Sequence, residues 1–460
     1  MGLIILRWSI GKAVFDCIGK KVKIFLDYTD VGSGFVFGYL VTQKPFYPSA
    51  LNDSTSQAVA EDINNSNGIG FVFMFKILSI IYFFNFMVSI LFYLGTMNWI
   101  VSKMGWFLQI TIGTTACESM NAAGNIFLGQ TEAPLLIRPF LPQMTKSEIH
   151  AVMTGGFATI AGEFPNCFLT MFLIRDILGS VLAAYISFGI DASHLLSASV
   201  MSAPAALAFS KLFYPETKKS KTTADSLPQL KSEDSNVLDA AVNGATQSVF
   251  LVGNIAASLI AFLAFIAFVN GVLGWLGGLV AFPCLSFEWM LGWIFYPLAL
   301  VMGVPCGSRF PDNNSTATHE DYDICAREEN LMYEDECKLV GVLVGLKTVV
   351  NEFVAYDKLS QLRPFLSYRS VAISTYALCG FSNPASIGVQ IGALSFMAPK
   401  RRGHIAQVAI RAFVAGSVAC FLTACVAGTL IIDPDNYEAV YGKTYVQSSF
   451  SRNCSYIHVQ

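Results

Sequence analysis

A carboxylate, Glu132, stands in an otherwise apolar run: Gly129-Gln130-Thr131-Glu132-Ala133-Pro134, preceded by Ile126-Phe127-Leu128 and followed by Leu135-Leu136-Ile137. A charged side chain at bilayer depth costs at least about 2.5–3.5 kcal/mol on insertion scales, so such residues are rare and serve ion or solute paths. Gly129 and Pro134 both interrupt helix. A helix broken around a polar tip inside an apolar chain predicts a membrane protein with a binding site at mid-depth, the pattern of a transporter.

The composition agrees. Of 460 residues, 54% are hydrophobic and 13% charged, against about 25% charged in soluble domains. The mean hydropathy is +0.53, and the 37 phenylalanines suit a lipid-facing surface. A net charge of −3 gives no reason to expect nucleic acid. The 11 cysteines are odd in number and mostly lie in apolar runs, with neither zinc spacing nor a dense disulfide framework. No phosphate loop, serine elbow or zinc-protease motif occurs, so no enzyme is expected.

Met1–Trp8 reads as the stump of a cut helix, too short and too soon followed by charge to be a signal peptide. Residues 11–47 are mixed in polarity and suit an interfacial helix. Spans are expected at about Phe71–Ile100, Ser193–Phe213, Ser248–Leu276, Phe287–Val304, Leu339–Tyr356, Val371–Met397 and Ile405–Ile432. Small-residue stretches at His150–Ala161 and Ser180–Ile190 suit close helix packing in lipid. Lys211, Lys218, Lys219 and Lys221 place the middle linker in the cytoplasm, and Lys400-Arg401-Arg402 place the loop before the last span there too. The tail, with a glycosylation sequon at Asn453-Cys454-Ser455, then lies outside.

Polar groups enter apolar surroundings twice. One set is Asn125–Glu132; the other is Asn351-Glu352 with Phe381-Ser382-Asn383-Pro384-Ala385-Ser386. Each offers a carboxylate, an amide and a hydroxyl beside a helix breaker, and Pro384 should kink or end its helix. Freed carbonyls and amide oxygens suit sodium, and amides with carboxylates suit a solute rich in hydroxyls and ring nitrogens. The competing readings are structural: Glu132 or Glu352 paired with Arg138 or Lys347, and Asn125 or Asn383 as interhelical hydrogen-bonding residues. Thr159, Ser386 and Phe381 are individually uninformative, Glu118 and Asn121 take no role, and His150 reads as a helix-end residue.

These residues lie in strings that resemble the sodium-coupled concentrative nucleoside transporters: Gly124–Pro139, Met153–Gly162, Ala183–Gly189, Val350–Tyr356 and Tyr376–Asn383. The resemblance covers most of residues 1–432. It implies an all-α polytopic membrane protein with two re-entrant helical hairpins and broken helices, built as a transport domain moving against a scaffold. It further implies a homotrimer of the plasma membrane whose protomers each move a nucleoside of the uridine or adenosine type by alternating access, with sodium co-transported and no other cofactor. Gln130, Thr131 and Glu132 would address the nucleobase, with Val181 packed on it. Glu352, Asn383 and Ser386 would address the ribose hydroxyls, and Phe381 would line the pocket. Sodium would be held by Asn125, Leu128, Thr159 and Ile160.

On that pattern the chain divides into five parts. Residues 1–102 are a scaffold remnant with one spanning helix, and residues 103–214 hold the first hairpin and its following spans. Residues 215–247 form a cytoplasmic linker with an amphipathic segment. Residues 248–432 hold the second hairpin, a broken helix and the last span, and 433–460 form an extracellular tail.

Four departures stand out. The chain starts where the family already has upstream helices. Glu163–Gly179 interrupts strings that run together in the family and reads as a retained intron. An acidic stretch from Cys306 to about Asp335, with overlapping sequons at Asn313 and Asn314, replaces a short connection. Ser382 and Pro384 replace the family's more usual residues. The missing N-terminus and the Glu163–Gly179 insertion raise one alternative, a truncated, non-transporting subunit of a trimer; Glu132 and Glu352, which could titrate, raise another, proton in place of sodium as the coupled ion.

Overall fold

The computed structural model describes residues 80–160, 185–186, 188–218, 220, 235–280, 282, 285–306 and 335–431, with isolated positions between 2 and 37. The regular elements among the described residues are all helices. The chain is therefore all-α, as the resemblance implied.

Helix ends follow local chemistry. Helix α1 (Ile80–Tyr93) stops before Gly95, whose φ of +74° glycine tolerates. After α2 (Thr96–Ile112), Thr115 and Glu118 form a capping box that starts α3 (Ala116–Phe127). A 3₁₀ turn, Ala133–Ile137, brings the chain back, with Pro134 in its first turn, where a missing N–H leaves no bond unmade. Thr145 and Glu148 repeat the capping box for α4 (Lys146–Ala158). Asp191 caps α5 (Ala192–Phe213), and Asn236 caps the 43-residue α6 (Val237–Leu279). Helix α6 runs without a break through the boundary drawn at residue 247.

The second half holds shorter pieces. They are α7 (Phe287–Ile294), α8 (Tyr296–Val301), α9 (Glu336–Val349), α10 (Glu352–Leu362), α11 (Tyr368–Leu378), α12 (Pro384–Met397) and the long α13 (Arg402–Leu430). Three of the expected spans are divided here, as Phe71–Ile100 is at Gly95 in the first half. Phe287–Val304 splits at Phe295, ahead of Pro297. Leu339–Tyr356 folds back at Val350 as a hairpin of α9 and α10. Val371–Met397 breaks over residues 379–383.

Helices α4, α5, α11 and α13 pack on one another, with α3 against α4 and α5 and the α9–α10 hairpin against α11. Close packing rests on small residues: a Cβ on Gly416 of α13 would collide with Phe157 of α4. Helix α1 lies along α6, and only 6% of the apolar stretch Leu259–Leu279 is covered by the protein. Ala192–Phe213, Leu259–Leu279 and Pro399–Leu430 are long and apolar enough to cross a bilayer.

One end of the bundle carries Lys146, Lys211, Lys400, Arg401 and Arg402. Arg401 donates to the Met144 carbonyl, and Lys146 Nζ donates to Gln407 Oε1 at 2.8 Å. Lys211 pairs with buried Glu118 at the same end. At the opposite end, Arg363 donates to the Gly189 carbonyl (2.9 Å) and Ser367 to Glu336 (2.7 Å), and a disulfide joins Cys306 to Cys337. The positive-inside rule puts the first end in the cytoplasm, and a disulfide belongs on the oxidising side. The acidic stretch 307–334 and the tail lie outside the described residues; residues 306 and 335, which flank the former, are at the outer end.

Candidate functional site

The second polar set is built by two helix starts. Asn351 caps α10, its Oδ1 accepting from the Val354 N–H at 3.0 Å, and so sets Glu352 in the first turn of that helix. Asn383 caps α12, its Oδ1 accepting from the Ser386 N–H at 2.9 Å. The other end of the Asn383 amide, Nδ2, donates to Glu352 Oε2 at 2.8 Å. One amide thus caps a helix and orients a carboxylate on a neighbouring one. Glu352, Asn383 and Ser386 are all buried, and Phe381 is half-buried. Pro384 does not kink a helix: it occupies the first turn of α12, where its fixed φ suits helix initiation. The break lies before it. Gly380, at φ +140°, fits between α4 and α13, where a Cβ would lie 2.6 Å from Cys420 Sγ.

The first polar set is built by two helix ends. Helix α3 stops at Leu128 and α4 at Thr159, both extended in backbone. Carbonyls left at a helix C-terminus, with the negative end of its dipole, favour a cation. Asn125 is buried against Gly155 of α4, and neither its oxygen nor its nitrogen has a hydrogen-bond partner. A buried amide without partners costs about 1–3 kcal/mol, which a bound cation would relieve at the oxygen. Thr159 Oγ1 donates back to the Gly155 carbonyl (2.8 Å), leaving its lone pairs free. Ile160 is buried, its carbonyl accepting from Ser199 Oγ at 3.2 Å. These oxygens and amides are the hard donors a sodium ion takes.

Between them, Gln130 and Thr131 are half-buried and Glu132 is accessible, its carboxylate curled back on Gly129. Gln390 of α12 spans the two sets, donating to Gln130 Oε1 at 3.1 Å. Tyr185 packs at a tilt against Phe353 and Tyr356, with ring centroids 5.1 and 4.3 Å away, and so buttresses the start of α10. The structure therefore brings Gln130 beside α12 and Glu352 beside Asn383. Val181 and the Glu163–Gly179 interruption lie outside the described residues.

No ion pair among the described residues uses Glu132 or Glu352; Lys347 instead donates to the Ala377 carbonyl at 3.2 Å, and Lys211 serves Glu118 and Glu216. Glu118 and Asn121, without a role in the sequence, act as a cap with a cytoplasmic ion pair and as a tie from α3 to the Val152 carbonyl. His150 is not a simple end residue: it is buried against Phe213 and Tyr214. Gln390 and Tyr185 are the contributors that sequence reasoning missed. A lone Gln in an apolar helix was the available signal.

Comparison with known proteins assigns the chain to a family by its sequence and its fold. Three family models match: "Na+ dependent nucleoside transporter C-terminus" over 194–316 and 330–428, "Nucleoside recognition" over 74–190, and "Na+ dependent nucleoside transporter N-terminus" over 1–40. Solute carrier family 28 member 3 of Rattus norvegicus is 44% identical over 450 residues, covering 94% of this chain and 54% of that protein. Sodium/nucleoside cotransporter 1 of Mus musculus is 41% identical, covering 98% and 61%. The chain thus spans little more than half the length of these relatives. Among solved structures, CNTnw in an inward-facing substrate-bound state superposes with a TM-score of 0.74 at 34% identity, over 97% of this chain and 90% of that one. An outward-facing variant of CNTnw gives 0.75 at 35%, over 96% and 90%.

Proposed function

Because this chain belongs to the family of concentrative, Na+-dependent nucleoside transporters, we propose that it is a sodium–nucleoside symporter, a multi-pass protein of the plasma membrane working by alternating access. The observation that carries this reading is the meeting of two helix C-termini around the unpartnered Asn125 with two capped helix N-termini around Glu352 and Asn383.

The donors divide by chemistry. Asn125, with the carbonyls of Leu128 and Ile160 and the hydroxyl of Thr159, takes sodium as co-substrate. Glu352 accepts from ribose hydroxyls, and Asn383 and Ser386 complete that contact. Gln130, Thr131 and Glu132 address the base, Phe381 lines the pocket, and Val181 packs on the base. Sodium at Asn125 braces the end of α3, to which Gln130–Glu132 are tethered, so ion and nucleoside strengthen each other's binding to the same degree. One positive charge moved inward through 100 mV releases about 2.3 kcal/mol, roughly 50-fold accumulation per ion. Three protomers form the working assembly, as the family resemblance implies.

The test is uptake of labelled uridine and adenosine in cells lacking nucleoside carriers, in sodium and in choline medium. It is run for the chain as it stands and without Glu163–Gly179. Sodium-dependent uptake by either form supports the reading. Uptake in choline at low pH assigns the proton as the coupled ion. Silence from both forms at the cell surface contradicts transport and favours a non-transporting subunit.

A further inference from the structure

Gln390 sits in the apolar helix α12, yet it is only 1% exposed. Its Nε2 donates twice, to Gln130 Oε1 at 3.1 Å and to the Met153 backbone carbonyl at 3.3 Å. The second bond fixes both amides. A carbonyl only accepts, so the Gln390 atom facing Met153 is the nitrogen. That same nitrogen faces Gln130, so the Gln130 atom turned to it is the oxygen. The oxygen of Gln130 is thereby committed to the protein, and its Nε2, with two hydrogens and no acceptor among the described residues, is left for a ligand. Gly156 makes room for this arrangement: a Cβ there would collide with Gln390 Nε2 and lie 3.1 Å from Gln130 Cβ. The Gln390 Oε1 has no partner either.

We propose that Gln390 is a positioning residue that holds the Gln130 amide nitrogen-outward, and so sets specificity for nucleobases presenting a hydrogen-bond acceptor at the contacted ring edge. The inference rests on the nucleoside reading of this site. A free glutamine turns its amide over and offers oxygen or nitrogen with equal ease, so it accepts a keto base or its amino counterpart. A glutamine pinned at its oxygen keeps one lone pair on the side of Gln390 and turns its NH₂ donor outward. An amino group facing that donor loses a hydrogen bond and leaves two donors opposed.

The experiment measures equilibrium binding of uridine, cytidine, inosine and adenosine to the purified full chain in sodium. Within each pair a keto oxygen is exchanged for an amino group at one ring carbon, and the neighbouring ring nitrogen changes from N–H to bare acceptor. The expected result is a keto-over-amino preference of about tenfold, the effect of one hydrogen bond of about 1.4 kcal/mol. Gln390→Met should bring the ratio to within about twofold, and Gly156→Ala, which displaces Gln390 by a different route, should do the same. The uridine to 2′-deoxyuridine ratio should not move in either variant, because Glu352 and Asn383 serve the ribose. Ratios are insensitive to the fraction of protein that folds, so a merely structural role for Gln390 leaves them all unchanged. Nucleoside binding with an unchanged keto-to-amino ratio overturns this inference alone, and binding of none of the four overturns the nucleoside reading with it.

Discussion

Glu352→Gln alters one atom and separates the fold of the second hairpin from its chemistry. The variant keeps the shape of a buried side chain and one acceptor for the Asn383 amide, which now sits 2.8 Å from Glu352 Oε2. Asn351 still caps α10, so the hairpin loses only the attraction of a carboxylate to a helix N-terminus, about 0.3–1 kcal/mol. The ligand loses more. A carboxylate accepts from two neighbouring hydroxyls, whereas an amide with its oxygen held by Asn383 presents an NH₂ to one of them. A hydrogen bond to a charged group is worth about 1.5–3 kcal/mol, so nucleoside affinity should fall about 10- to 100-fold. Binding isotherms of uridine and 2′,3′-dideoxyuridine on both proteins form a cycle. Wild type should favour uridine by that factor, and the variant should bind the two within about threefold, with its melting temperature little changed. Wild-type affinity for uridine in Glu352→Gln, or an equal loss for the dideoxy compound, would refute the assignment of this carboxylate to the ribose.

Three further perturbations follow from the same geometry. Gly155→Ala sets a Cβ 2.8 Å from Asn125 Nδ2, so it should raise several-fold the sodium concentration for half-maximal nucleoside binding; an unchanged sodium titration removes Asn125 from the ion site. Gly380→Ala forces φ +140° on an alanine and a Cβ 2.6 Å from Cys420 Sγ, and should destabilise by about 2–4 kcal/mol, seen as a lowered melting temperature. Cys306→Ser opens a bridge spanning 31 residues and should cost about 2–4 kcal/mol of stability; peptide mapping of the wild-type protein without reductant should recover Cys306 joined to Cys337.

The polar residues of the candidate site are plainer in the sequence than the helices around them. Glu132, Asn125, Glu352 and Asn383 stood out because amides and carboxylates beside Gly129, Pro134 and Pro384 contradict an apolar background. The hairpin tip at Val350 did not, since Leu339–Tyr356 is apolar enough to read as one span; its marker was the capping amide Asn351. The same continuity hid the division of Phe287–Val304, although Pro297 was in plain view. Pro384 signals a missing N–H in the sequence, and only the fold shows the helix it starts. Gln390 escaped because a single glutamine in an apolar helix is also what interhelical hydrogen bonding uses, and only the positions of Met153 and Gln130 give it a task. The disulfide could not be read from 11 scattered cysteines, which offer many pairings.

Coupling of nucleoside movement to sodium is measured most directly in proteoliposomes containing the purified chain, with sodium outside, none inside and the interior held negative. The account predicts that labelled uridine accumulates above its bath concentration, and that choline in place of sodium, or collapse of the sodium gradient, abolishes the accumulation. Uridine that merely equilibrates, at the same rate in sodium and in choline, would contradict it.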